Sequence, residues 1–259
     1  MALRDALRSQ AWMNGGNGHK GSIGPELGIG GMLQKASPTT PYMMLKSCIG
    51  DRALGWDLLP PGSKGYNYSN FTYAGYHQSP MKWPQGTTPV PMGWAAGLQY
   101  DGDIWRANRV LNKTMLPTYY PAPANKCYEV AGFFWWQGDK DSRDMGLSLH
   151  YEQNLVALIK QLRVQYNAPK AKFVTASLGQ TAMNDTTSGG GLILQAMENV
   201  ANATKFPEFA GNVATVYTNP LMHTPSASGG HYGGDAQTYM NIGEAMGTAM
   251  VGLLKGDSQ

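Results

Sequence analysis

The chain is poor in charge and in cysteine, and it lacks several patterns that would place it in a class at once. Only 14% of its 259 residues are charged and the formal net charge is +3, with no window of dense lysine and arginine. A surface that tracks phosphates needs such a cluster, so nucleic acid is not an expected partner. No apolar run approaches the length of a bilayer span, and the leading MALRDALRSQ has no apolar centre of the kind secretion signals carry. No membrane partner is expected from these segments. Histidines, cysteines and carboxylates do not fall at ligand spacing, so no metal or other cofactor is expected. The segment GIGG at 28–31 has no strand before it, which sets aside a dinucleotide or phosphate loop. Cys48 and Cys127 could form one disulfide, but Cys48 stands in an apolar run where a buried thiol is at least as natural.

What is present is enough apolar residue, at 42%, for a sizeable core. Four near-continuous apolar runs read as strands covered on both faces: Pro41–Ile49, Tyr128–Trp136, Lys172–Leu178 and Val213–Thr218. Helical spacing marks Leu147–Tyr166, Leu192–Ala203 and Thr238–Leu254, with a shorter candidate at Glu26–Lys35. Strands alternating with helices imply an α/β fold with a mostly parallel sheet. One unit spanning 1–259 is expected, interrupted at about 51–100 by a Gly-, Pro-, Tyr- and Trp-rich insertion without periodicity. Insertions of that length often form a lid or substrate wall, and Trp56, Tyr73 and Trp83 are its candidate sugar-stacking side chains.

In a doubly wound sheet the site lies outside the carboxyl ends of the strands. Reading those ends in turn gives Gly50 and Asp51, then Gln137, Gly138 and Asp139, then Gly179 and Gln180, then a loop with His223 and His231. A histidine base, an acid to orient it and amide donors for an oxyanion are the parts of hydrolytic acyl transfer. Each alone has a plainer reading: Gln137 as a turn amide, Asp139 as a helix cap or surface acid, His231 as a loop residue among glycines.

The segments IGPELGIG (23–30), KSCIGDRALGWDLLPPGS (46–63), EVAGFFWWQGDKDS (129–142), YEQNLVALIKQLR (151–163) and GGHYGGDAQTYMNIGEAMGTAM (229–250) together resemble sialate O-acetylesterase-type carbohydrate esterases of the SGNH/GDSL hydrolase superfamily. The resemblance implies a flavodoxin-like three-layer α/β/α fold and serine-hydrolase removal of acetyl groups from a sugar, with no cofactor. The implied partner is an acetylated carbohydrate, and the implied location is periplasmic or secreted. It matches His231 to the catalytic base, Gln137 to the side-chain oxyanion donor, Gly50 to the backbone donor, and Asp139 to the acid that orients the histidine. Relatives usually carry Gly-Gly at Gly50-Asp51, and many place an aspartate where Ser228 stands. The family's Gly-Gln-Ser-Asn-type nucleophile motif and the strand before it have no counterpart, so the chain reads as a member without them. Ser9 and Ser22 are the nearest serines; neither follows an apolar strand, and Ser22 is the weak candidate nucleophile. A non-catalytic carbohydrate-binding protein of the same fold is the alternative.

Overall fold

The computed structural model describes residues 23–112, 128–223 and 230–256. Ser9, Ser22, Cys127 and Ser228 lie outside them. Among the described residues the central sheet has three parallel strands, β4 (Gly132–Trp135), β5 (Lys172–Ala176) and β6 (Val213–Val216), in that spatial order. Before it come α1 (Glu26–Ala36), an antiparallel meander of β1 (Tyr66–Tyr68), β2 (Phe71–Tyr73) and β3 (Lys82–Pro84), and α2 (Leu98–Leu111). Between β4 and β5 lie α3 (Asp139–Ser142), α4 (Met145–Leu149) and α5 (Tyr151–Gln165); α6 (Gly189–Ala201) precedes β6 and α7 (Ala236–Lys255) follows it.

Why four aromatics run unbroken through β4 is now plain. Strand side chains alternate between faces. Phe133 and Trp135 pack on a core built by Leu155, Ile159, Ile193 and Met197 of α5 and α6. Phe134 and Trp136 pack on the opposite core, built by Ile29 and Leu33 of α1 with Ile242, Met246 and Met250 of α7. With helices on both faces, neither side of the strand can be polar, and the layers are helix, sheet, helix.

Glycine allows the second helical layer to close. A Cβ on Gly28 would lie 2.6 Å from Glu244 N and 2.7 Å from Met240 O, and one on Gly243 would strike the Pro25 carbonyl. Gly243→Ala should therefore lower stability by about 1–3 kcal/mol, since backbone rather than a flexible side chain must give way. Gly252 of the same helix faces open space. There the same change should stabilise by roughly 0.5–1 kcal/mol. Urea unfolding of the two variants should move in opposite directions.

Three expectations are corrected. Residues 41–47 are not a strand; a single bridge at Cys48 is all the pairing recorded there, because apolar composition makes a strand only where a neighbour shares its ladder. Cys48 is exposed rather than buried. The expected helix Leu147–Tyr166 is two helices meeting at His150. Asp144 starts α4 by accepting from the N–H groups of Gly146 and Leu147 at 3.0 and 3.2 Å, and Tyr66 Oη donates to Gly146 O at 2.9 Å. That carbonyl holds the His150 N–H only weakly, at 3.3 Å.

The 51–100 insertion is better ordered than its composition suggests. It has its own core of Ala53, Trp56, Leu59, Tyr73, Ala74 and Ala96 against Leu147. Trp56 is 7% exposed and Tyr73 3%, so both are core and neither offers a ring to a sugar. The meander explains why Trp83 differs. Tyr66, Tyr73 and Lys82 pair in one cross-strand row, while Asn67, Thr72 and Trp83 form the next, whose side chains point to the other face.

Candidate active site at the carboxyl edge of the sheet

The three parallel strands end together, and side chains just beyond them tie the ends to one another. Trp136 Nε1–H donates to Ser177 O at 3.0 Å, joining the end of β4 to that of β5. Asn219 Nδ2–H donates to Gly179 O at 2.8 Å, joining β6 to β5. Gly179 N–H donates to Tyr232 Oη at 3.2 Å, and the Tyr232 ring stacks on Trp136 with centroids 5.5 Å apart. Tyr232 thereby fastens the segment carrying His231 to this edge. From His231 to Gly234 four residues in succession have positive φ, at 58°, 54°, 65° and 73°. Such conformations are uncommon for non-glycine residues and concentrate at functional sites. His231 is exposed, and its imidazole has no hydrogen-bond partner among the described residues. Its carbonyl accepts the Tyr239 hydroxyl at 3.3 Å.

Gln137 is fully engaged. Its amide N–H groups go to Arg52 O at 2.8 Å and the Asp141 carboxylate at 2.7 Å, and the Tyr151 hydroxyl lies 3.0 Å from its Oε1. In this conformation Gln137 is a strut between β4 and the Arg52 loop, with no hydrogen left for an oxyanion. Gly50 N–H, by contrast, makes no hydrogen bond within the described residues, and the residue is exposed. Its neighbour Asp51 pairs with Lys140 at 2.9 Å and Arg143 at 3.5 Å, which brings the Gly50 turn against α3. The hydrogen bond from Lys140 holds the Asp51 carboxyl below its ordinary range.

Asp139 is exposed and pairs with Arg143 four residues on; no ion pair joins it to His231. Near the end of β6 a different histidine, His223, faces a carboxylate, its Nδ1 3.5 Å from Asp235. Asp235 in turn caps α7 by accepting from Thr238 N–H at 3.0 Å. Among the described residues no serine or threonine hydroxyl is hydrogen-bonded to an imidazole. Ser79 stands two residues from His77, itself paired with Asp101 at 2.8 Å, yet its hydroxyl donates to Trp94 O and accepts from Met92 N–H.

The most unusual group is Asp141. It is wholly buried, and among the described residues no cation pairs with it. Its carboxylate accepts Leu54 N–H at 2.8 Å, Gly55 N–H at 2.9 Å and the Gln137 amide. Burial pushes its pKa up to about 6, against the pull of these three donors. Desolvation thus outweighs hydrogen bonding here.

Against this geometry the family model for sialic acid-specific acetylesterases, which are carbohydrate esterases, matches residues 85–252. The chain belongs to that family. No curated protein and no solved structure matches it. The matched stretch takes in all three described parallel strands, Gln137, Asp141 and the His231–Tyr232 turn, and it stops short of Gly50 and most of the insertion. Two residues that organise the edge escape a reading of strand ends. Asp141 could have been found from its spacing, four residues after Gln137 and inside the first turn of α3. Tyr232 has no such signal, because an aromatic next to a candidate base is as readily a packing residue.

Proposed function

We propose that the protein removes O-acetyl groups from a carbohydrate by serine-hydrolase chemistry. The observation carrying this reading is the Tyr232 anchor, which holds His231 at the shared carboxyl edge of the strands in a family of carbohydrate esterases. His231 takes the proton of an attacking serine hydroxyl as the new oxygen–carbonyl bond forms, then delivers it to the departing sugar oxygen. Water, deprotonated by the same imidazole, releases acetate. The open Gly50 N–H is the backbone donor to the oxyanion. Gln137 would contribute a second donor by giving up its bond to Arg52 O, and Asp139 would orient the imidazole by leaving Arg143. Ser22 is the serine whose replacement tests the origin of the nucleophile.

The test is acetate release from acetylated polysaccharide, from O-acetylated sialic acid and from p-nitrophenyl acetate. Acetate from the carbohydrate, lost in His231→Ala, is the expected result; hydrolysis untouched by His231→Ala sinks the assignment. The second reading, carbohydrate binding without hydrolysis, is favoured by one observation, that no described serine or threonine hydroxyl meets an imidazole. Glycan retention with no acetate released would establish it.

A further inference from the structure

We propose that the insertion carries a subsite for neutral sugar units of an extended glycan, beside the carboxyl edge and built from residues the reaction does not use. The ligand class rests on the carbohydrate reading above, whereas the site rests on its own geometry. A depression of about 460 Å³ is lined by Trp83, Pro89, Pro91 and Met92, with His77 and Gln78 among its polar groups. That is within the usual range for small-ligand sites of roughly 300–1,000 Å³. Trp83 packs partly on the insertion's core and lines the hollow, as its place in the outward row of β3 requires.

The polar groups are fixed in place yet not used up. Gln78 Oε1 accepts Gly75 N–H at 2.7 Å, which pins the amide plane, while its Nε2 hydrogens have no partner among the described residues. His77 has a φ of 65° and stacks on Tyr76 with centroids 3.8 Å apart; its Nε2 is held by Asp101 at 2.8 Å, so Nδ1 remains for a ligand. Asp101 also accepts the Tyr76 hydroxyl at 2.6 Å. Opposite them the wall is clamped by Ser79, whose hydroxyl holds Met92 N–H at 2.9 Å and Trp94 O at 2.8 Å. Oriented donors and acceptors around an aromatic and aliphatic floor match a pyranose, with apolar C–H faces and an equatorial rim of hydroxyls. Among the described residues no lysine or arginine lines the hollow, and Asp101 faces His77. A sialic acid carboxylate would meet no cation there, so a neutral sugar is the better fit.

The position sets the glycan's length. Arg52 lies over the Trp94 ring at 4.7 Å from its centroid, and the same residue's carbonyl holds Gln137. The wall of the hollow thus abuts the loop of the candidate active site, and an oligosaccharide, rather than a single sugar, can occupy both.

Binding of the full-length protein to an array of linear xylo-, manno- and gluco-oligosaccharides, with sialylated oligosaccharides alongside, tests the proposal. Wild-type protein should bind at least one neutral series, and Trp83→Ala and Gln78→Ala should each weaken that binding about tenfold or more. Turnover of p-nitrophenyl acetate should be the same in all three proteins. Equal binding by wild type and both variants, binding confined to sialylated glycans, or no binding by wild type would each overturn the subsite. Loss of ester turnover with glycan binding intact would instead overturn the esterase reading and leave the subsite standing.

Discussion

Asp141→Ala should destabilise the protein by about 2–4 kcal/mol, whereas Asp141→Asn should leave it within about 1–2 kcal/mol of wild type at pH 7. The asymmetry follows from what the carboxylate does. Alanine strands Leu54 N–H, Gly55 N–H and a Gln137 amide hydrogen inside the protein. Each stranded donor costs roughly 1–3 kcal/mol. Against that stands the relief of no longer burying a charge. A rise from 3.8 to about 6 corresponds to about 3 kcal/mol. Three donors outweigh it. Asparagine gains the same relief and keeps one acceptor oxygen, losing only where its NH2 faces an N–H.

The sign of the pH dependence is a second mark. Because the folded pKa lies above the unfolded one, the folded protein holds the extra proton between about 4 and 6. Stability should therefore fall as pH rises through that window and be flat above it. Urea unfolding from pH 4 to 7 should show this slope in wild type and lose it in Asp141→Asn. A slope of opposite sign, or one unchanged by the substitution, would falsify the assignment.

His231→Ala should reduce acetyl-ester turnover by at least about 10²–10⁴-fold, the scale at which a general base contributes. Folding should be unaffected, because the imidazole is exposed and has no hydrogen-bond partner among the described residues. Relief of a positive φ by alanine is negligible, so a lower rate cannot be charged to stability. Tyr232→Phe should be milder. It removes the Oη acceptor of Gly179 N–H but keeps the stack on Trp136, so kcat should drop severalfold with KM nearly constant. If Tyr232→Phe matched His231→Ala in severity, Tyr232 would itself be acting on the substrate.

Particular elements show what the sequence could and could not reveal. β4, β5 and β6 were readable because each is apolar on two faces, as a strand covered on both sides requires, and helical spacing lies between them. α2 was invisible for the converse reason: of its 14 residues just Gln99 and Tyr100 are buried, so no stripe marks its face. The meander strands are three residues each, shorter than any alternation that could announce them. Burial of Trp56 and Tyr73 depends on Leu147, far along the chain, and no local pattern encodes it. The same holds for the break at His150, imposed by Tyr66. At the site, the residue types at the strand ends were legible, but their hydrogen bonds were not. Gln137 as strut rests on Arg52 O, and Lys140 and Arg143 meet Asp51, contacts between distant segments that only the fold makes.

The close fit of α1 on α7 has a bearing on how the protein is made. Pro25 and Gly28 touch Gly243, Glu244 and Met240, so this layer joins segments more than two hundred positions apart. On a ribosome the sheet strands emerge before α7, and Phe134, Trp136 and Val174 stay incompletely covered on that face until α7 has been synthesised. Contacts of such long range form slowly, and exposed aromatic strand faces are prone to associate in the meantime. Expression yield should then respond more steeply to changes in α7 than to equal losses of stability elsewhere, making α7 the step that commits this nascent layer to solubility.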